Sequence, residues 1–348
     1  MKNNYKPYLD GFRGISILLV AISHAGFGGI VPGGLGLTIF FFISGYLITS
    51  LLLKEMDSTG TVGLRDFYLR RFWRLMPAFG VYLLLAVALI IFAGGHVRTM
   101  EFVSAAFYFS NYYKIFYGYE ELAGTFSPYG VLWSLAVEEH FYLIFAPLVA
   151  WVKHRKTILW TTLFLLVLPL IIRFIAVGSE PNAFSEEYTY RATEARIDSI
   201  AYGCLLAILG NRGLWRSHAL FSLAAGCAGL ILSLVYRDEQ FRQVLRYSLQ
   251  GVSLYLIFGA VIYAEPVSAF RRALSVKPLV FIGKLSYSLY LYHWLVLIIM
   301  IIYAGPVART LAWQGGYWVL TVGLSALSYY LVERPSLRWR IRYGSDAR

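Results

Sequence analysis

Apolar residues in this chain fall in long, nearly unbroken runs instead of the alternating patterns of a soluble core. Two runs, 9–27 and 34–53, open the chain, and a polar, basic stretch from Lys54 to Arg74 follows, ending in RRFWRLMP. Further runs cover 77–94, 130–152, 157–177, 197–211, 218–236, 247–264, 279–303 and 313–333. A helix needs roughly 20 apolar residues to cross the hydrocarbon of a bilayer. It also satisfies its own backbone there, which an open strand does not. The pattern therefore predicts an all-α integral membrane protein of about ten transmembrane helices. One stretch, 102–127, is aromatic and fits no full span. No repeat of 20–50 residues, inverted repeat or low-complexity segment is visible. Lys2 and Lys6 before the first run imitate a signal peptide, but that run contains Arg13 and His24 and lacks an A-x-A cleavage site. It reads as a retained first helix.

Loop charges bear on the ambiguous stretch, because basic residues favour the cytoplasmic side. With the N-terminus and Arg70, Arg71 and Arg74 inside, a full crossing at 102–117 puts Lys153, His154, Arg155 and Lys156 outside. A re-entrant or interfacial segment at 102–127 puts them inside. Arg212, Arg216, Arg271, Arg272, Lys277 and the tail of Arg338, Arg340 and Arg342 then also fall inside. The second arrangement gathers every basic cluster on one side. It predicts both termini in the cytoplasm and 102–127 at the outer face.

Composition agrees. The 348 residues are 58% hydrophobic and 14% charged, with mean hydropathy +0.61; a soluble domain carries about 25% charged residues. Nothing resembles a separate soluble domain, so a single membrane domain over 1–348 is expected. The net charge of +12 sits in short loops beside apolar runs, which excludes a nucleic-acid reading. Cys204 and Cys227 lie inside apolar runs and are expected to be small core residues; no metal-ligand spacing appears, so no metal is expected.

Ionisable groups within spans are costly, about 2.5–3.5 kcal/mol each on insertion scales, and so are functional candidates. Here they are Asp10, Arg13, His24, Glu138, Glu139, His140, Arg173, Asp198, His293 and Glu333. His24 follows Arg13 by eleven residues, roughly 16 Å further along a helix and on nearly the same face. Two layers result. An inner one holds Asp10, Arg13, Arg71, Arg74 and Glu333; an outer one holds His24, Glu138, Glu139, Arg173, Arg196 and Asp198, with His293 between. Guanidinium groups bind phosphate in bidentate fashion, so the inner layer suits a phosphorylated cytosolic ligand. Histidine beside carboxylates suits general-base chemistry. The bland alternative makes Arg13 with Asp10, or Glu333 with Arg334, structural ion pairs at helix ends. Glu138 and Glu139 face about 100° apart, so at most one points at His24, while the other packs or pairs with Arg173.

In order, the motifs resemble the membrane acyltransferase-3 family over Tyr8 to Pro335, nearly the whole chain. YLDGFRGISILLVAISHAG carries its Arg-x10-His pair at Arg13 and His24. FFISGYLI resembles its second-helix motif, and RRFWRLMP its Arg-x-x-Arg motif at Arg71 and Arg74. LWSLAVEEHFYLIF resembles its Trp-Ser-Leu block, with His140 where Gln is commoner; GKLSYSLYLYHWLV and VERP resemble its closing blocks. The resemblance implies a bacterial multi-pass protein of the cytoplasmic (inner) membrane. It implies an acyl-CoA donor, acetyl-CoA above all, reaching the site from the cytoplasm, and a carbohydrate or glycoside acceptor that is O-acylated. It implies essential Arg13 and His24, with the arginine motif serving the donor. Some relatives carry an extracytoplasmic esterase-like domain after the membrane part. This chain stops at Arg348 without one, so either the membrane domain does the whole transfer or a partner protein completes it.

The expected site is then Arg71, Arg74, Asp10 and Arg13 for the donor; His24, Arg13, Glu138 and Glu139 for catalysis; and Trp133, Ser134, Arg173, Asp198 and His293 on the acceptor side. No permanently bound cofactor is expected. His24 acts as general base or takes the acyl group covalently, with one glutamate orienting it. A glycan transporter or flippase, with the buried charges as its path, is the rival; a non-catalytic assembly protein that tolerates loss of His24 is the third class.

Overall fold

The computed structural model describes residues 5–341 apart from 179 and 211. Lys2 and Arg342, counted above among the basic flanks, lie outside the described residues, as do the side chains of Arg212, Arg216 and Arg340.

The described residues form helices and no strands. The first are α1 (Pro7–Ile22), extended by a π-helical turn Ser23–Phe27, then α2 (Gly33–Thr59), α3 (Leu64–Phe92), α4 (Thr99–Ala106), α5 (Ser110–Tyr117) and α6 (Trp133–Val152). Then come α7 (Arg155–Val177), α8 (Ala183–Arg191), α9 (Thr193–Leu209), α10 (Arg212–Val235), α11 (Glu239–Val244) and α12 (Arg246–Tyr263). The last are α13 (Ser268–Leu274), α14 (Lys277–Lys284), α15 (Ser286–Ala304), α16 (Leu311–Ser328), a second π turn Tyr329–Glu333, and α17 (Arg334–Ile341). The apolar runs of the sequence coincide with helices, although 279–303 divides between the short α14 and the long α15, while 102–127 holds only the short α4 and α5 and irregular chain. Among the described residues, six helices are long and apolar enough to cross a membrane: α2, α3, α6, α7, the Ser217–Val235 part of α10, and α15. The protein is thus an all-helical, multi-pass membrane protein.

The chain divides into two compact units, Met1–Gly36 with Gly63–Trp133 and Lys277–Arg348, and Leu37–Val62 with Ser134–Val276. In the first, α1 lies against α14 and α15, α15 against α3 and α16, and α17 against α3. Glycine sets the closest approach, as small residues do where helices associate in lipid. A Cβ at Gly283 would sit 1.8 Å from the carbonyl oxygen of Asp10, and one at Gly14 would sit 2.5 Å from that of Leu279. In the second unit α9 is central, packed on α7 and α12, with α10 against α12. Gly203 and Gly45 let α9 and α2 meet backbone to backbone: a Cβ at Gly203 would lie 2.0 Å from the Phe42 carbonyl oxygen, and one at Gly45 2.0 Å from that of Ile200. Cys204 is buried at this crossing, but Cys227 is exposed on α10 and is not a core residue; the apolar run around it faces outward on that side.

Two contacts within the second unit relate its ends. Arg155, at the α6–α7 turn, pairs with Asp57 near the end of α2, 2.5 Å apart. Ser185 of α8 donates to Gln243 of α11 at 2.7 Å. The end of α2 therefore shares a face with the α6–α7 turn, and the α7–α9 connection shares one with the α10–α12 connection.

Candidate functional site

The π turn after α1 positions His24. Ala25 and Gly26 leave helical geometry there, Gly26 with φ +98°, where an L side chain is strained. A Cβ at Gly26 would also lie 2.7 Å from Val307. The carbonyls freed by the kink are met by side chains: Arg309 donates to Gly26 through Nη2 (2.9 Å) and Nε (3.2 Å), and Gln314 donates to Ala25 (2.8 Å). Single π turns of this kind recur at functional sites.

The kink turns His24 toward α15. His24 Nδ1 lies 3.0 Å from Nε2 of His293, which is completely buried. His293 Nδ1 in turn lies 2.9 Å from the carbonyl oxygen of Leu289. The Trp294 ring meets His24 edge-on at 4.9 Å, and Phe126 lies 5.1 Å from Trp294 on its own side. The irregular chain before α6 is pinned beside these rings: Trp294 donates to the Ser127 carbonyl (2.9 Å), Tyr82 to that of Pro128 (2.5 Å), and Tyr290 to that of Val131 (2.7 Å). At Gly130 a Cβ would press on Trp294 at 2.9 Å. Below this segment Glu101 is buried, accepting from the Glu120 amide at 2.8 Å. Burial lifts its carboxyl above the ordinary range, against the lowering effects of that hydrogen bond and of Arg98. Burial, with Glu101 nearby, pushes the Tyr129 hydroxyl up to about 12.

The other polar level of the first unit lies toward the start of α1. Arg13 pairs with Asp10 at 3.1 Å, as the structural alternative had it, and Tyr5 donates to Asp10 at 2.7 Å. Glu333 accepts from Ser288 and feels the charge of Arg74, so its neighbours are not the Arg334 considered from sequence. Arg71 and Arg74 sit half-buried one turn apart on α3, before Pro77.

The remaining predicted residues lie on α6, α7 and α9. Trp133 and Ser134 are buried at the start of α6. Glu138 accepts from Ser44 of α2, and His140 lies 2.7 Å from the Thr193 hydroxyl. Arg173 pairs with Asp198 at 2.8 Å, not with a glutamate of α6. Both are completely buried, and Arg173 also donates to Val244, Ala195 and Ser248, so this pair is bonded within its own unit. Arg196, likewise buried, stacks on Tyr247 at 3.9 Å. What sequence reading missed is the direct His24–His293 contact, the Trp294 wall and the Arg309 clamp on Gly26. The only signal for the first was a histidine inside an apolar run.

His24, half-buried at a kinked helix end, faces the buried His293 at one level, and Arg13 lies at another level of the same helix. The acyltransferase-3 family model, described as an acyltransferase domain, matches residues 6–332, and the chain belongs to this family. It is 31% identical to the O-acetyltransferase OatA of Staphylococcus aureus (strain NCTC 8325 / PS 47) over 95% of this chain and 57% of that protein. It is also 31% identical to the peptidoglycan O-acetyltransferase OatA of Listeria monocytogenes serovar 1/2a over 83% of this chain and 49% of that one. The chain thus spans about half the length of these relatives. No solved structure matches.

Proposed function

We propose that this chain is a membrane-bound O-acyltransferase that moves an acetyl group from cytoplasmic acetyl-CoA to a carbohydrate hydroxyl, with His24 at the reacting centre. The observation that carries it is the imidazole of His24, presented at a kinked helix end and held through one nitrogen by a buried histidine, in a chain of an acyltransferase family. The acceptor placed first is peptidoglycan, on the name of the Listeria relative.

CoA phosphates dock on Arg71 and Arg74, with Arg13 and Asp10 nearby. The thioester reaches along α1 toward His24. His24 takes the acceptor hydroxyl proton as that oxygen attacks the thioester carbonyl; the C–S bond breaks, and the imidazolium returns the proton to the thiolate. The products are the O-acetyl ester and free CoA. A covalent acyl-His24 intermediate gives the same balance in two steps. Carboxylate support from Glu138 or Glu139, and acceptor contacts at Trp133 and Ser134, are carried over from the sequence.

The same proposal has a single domain of about ten spans in a bacterial cytoplasmic membrane, with both termini inside and 102–127 at the outer face. The Arg155–Asp57 pair supports it. The ends it joins are separated by α3 and α6, so the segment between those two helices adds no net crossing. Purified protein in nanodiscs should release CoA from acetyl-CoA when a peptidoglycan fragment is added, and His24→Ala should abolish release while remaining folded. Full activity in that variant, or glycan transport without thioester consumption, refutes the reading.

A further inference from the structure

We infer that His293 is the positioning residue of this site, fixing through an imidazole–imidazole relay which nitrogen of His24 carries the proton. The inference rests on the reading of His24 as base or nucleophile. It follows from hydrogen-bond logic. A backbone carbonyl only accepts. His293 Nδ1 lies 2.9 Å from the Leu289 carbonyl oxygen, so Nδ1 bears hydrogen. A neutral imidazole has one N–H, so His293 Nε2 presents a lone pair. The atom 3.0 Å from that lone pair is His24 Nδ1, which must donate. His24 Nε2 is then the nitrogen that carries no hydrogen, the one able to take a proton or an acyl group.

Ring geometry agrees. The two imidazoles are tilted by only 3° with centroids 5.2 Å apart. That separation is the N···N distance plus one ring radius at each end. The contact is therefore edge to edge in a shared plane, as a hydrogen bond requires, and not a face-to-face stack.

The place that a carboxylate takes in a Ser-His-Asp triad, at Nδ1 of the catalytic histidine, is thus held by a second histidine. Buried charge is costly, and a neutral donor–acceptor chain ending on a helix carbonyl sets the tautomer without bringing one. When His24 accepts the hydroxyl proton at Nε2, its Nδ1–H bond to His293 becomes charge-assisted and stronger. The acquired charge is shared with a ring already anchored by Leu289. The proton leaves again to the thiolate sulfur, and both rings return to their starting tautomers.

Two variants of similar size separate this from simple packing. In His293→Gln the amide oxygen still accepts from His24; in His293→Leu nothing does. The full chain, labelled with 15N-histidine in nanodiscs, reports the tautomer directly. The His24 signal is the one lost from the six histidines in His24→Ala. Wild type and His293→Gln should show His24 as the Nδ1–H tautomer, and His293→Leu should shift it toward Nε2–H. Turnover in His293→Leu should fall by up to about 10⁴-fold, the scale of a wrong-tautomer triad, with KM for acetyl-CoA nearly unchanged, and His293→Gln should recover at least about tenfold of that. An Nε2–H His24 in the wild type, or equal losses in the two variants, overturns the relay. If the tautomers behave as stated but His24→Ala still releases CoA, the relay stands and the acyl-transfer reading fails.

Discussion

Removing the carboxylate of Asp198 tests whether the Arg173–Asp198 pair holds the second unit together. Asp198 Oδ2 receives Arg173 Nη2 and the Ser248 hydroxyl, each at 2.8 Å, and Oδ1 receives the Ser199 amide at 2.8 Å. Arg173 adds bonds to the carbonyls of Val244 (2.8 Å) and Ala195 (2.5 Å) and to Ser248 (2.7 Å). One cluster thereby ties α7, α9 and α12 to the end of α11. Both side chains are fully buried, so no solvent screening discounts the pair. Asp198→Leu leaves a guanidinium buried without its countercharge, which costs about 3–5 kcal/mol. At about 1.4 kcal/mol per factor of ten, the folding equilibrium constant should fall roughly 10²–10⁴-fold. Arg173→Met should cost a similar amount by stranding the carboxylate. The double variant should cost several kcal/mol less than the sum of the singles, because an apolar pair of similar size replaces a buried ion pair at little net cost. Denaturant titration of the detergent-solubilised protein, followed by intrinsic fluorescence, measures all four corners of this cycle. Additive losses to within about 0.5 kcal/mol refute the reasoning, as does wild-type stability in Asp198→Leu. Acceptor turnover per folded molecule in the double variant then asks the separate question raised by the sequence, whether the pair touches substrate.

Arg74→Ala, and Arg71→Ala beside it, should raise KM for acetyl-CoA about tenfold or more, the scale of one lost charge-assisted hydrogen bond, with turnover less affected. An effect confined to acceptor affinity contradicts the donor assignment. Glu101 sets a pH dependence. Its folded carboxyl titrates above the ordinary range because burial disfavours its charge. The stability it contributes is therefore complete below the unfolded value and is lost as pH rises through the folded one. Glu101→Gln should flatten the change in melting temperature across that window; an unchanged pH profile counts against the assignment.

Much of the architecture was legible in the chain itself. A span must be apolar along its length, so the apolar runs 34–53, 77–94 and 279–303 already point to the membrane-crossing candidates Gly33–Thr59, Leu64–Phe92 and Ser286–Ala304. A charge within such a segment stands out by its cost, which is how Arg13, His24, Arg173, Asp198 and His293 were found before any packing was known. Partner choice was another matter. Of the two roles open to the second glutamate of α6, packing or pairing with Arg173, the pairing does not occur, because Arg173 meets Asp198; and no periodicity points His24 Nδ1 at His293. Periodicity assigns a residue to a face of its own helix. It carries no information about which distant helix covers that face. Nor did the pattern show the kink at Ala25 and Gly26, because a π turn changes the phase of a helix without changing its hydrophobicity. The sequence by itself determined the helices, the membrane and the list of buried charges, since each follows from local transfer energies. Only the tertiary structure decided how those charges pair, because that depends on backbone approaches such as Gly203 on Phe42 and Gly283 on Asp10, which bring particular atoms within hydrogen-bonding distance.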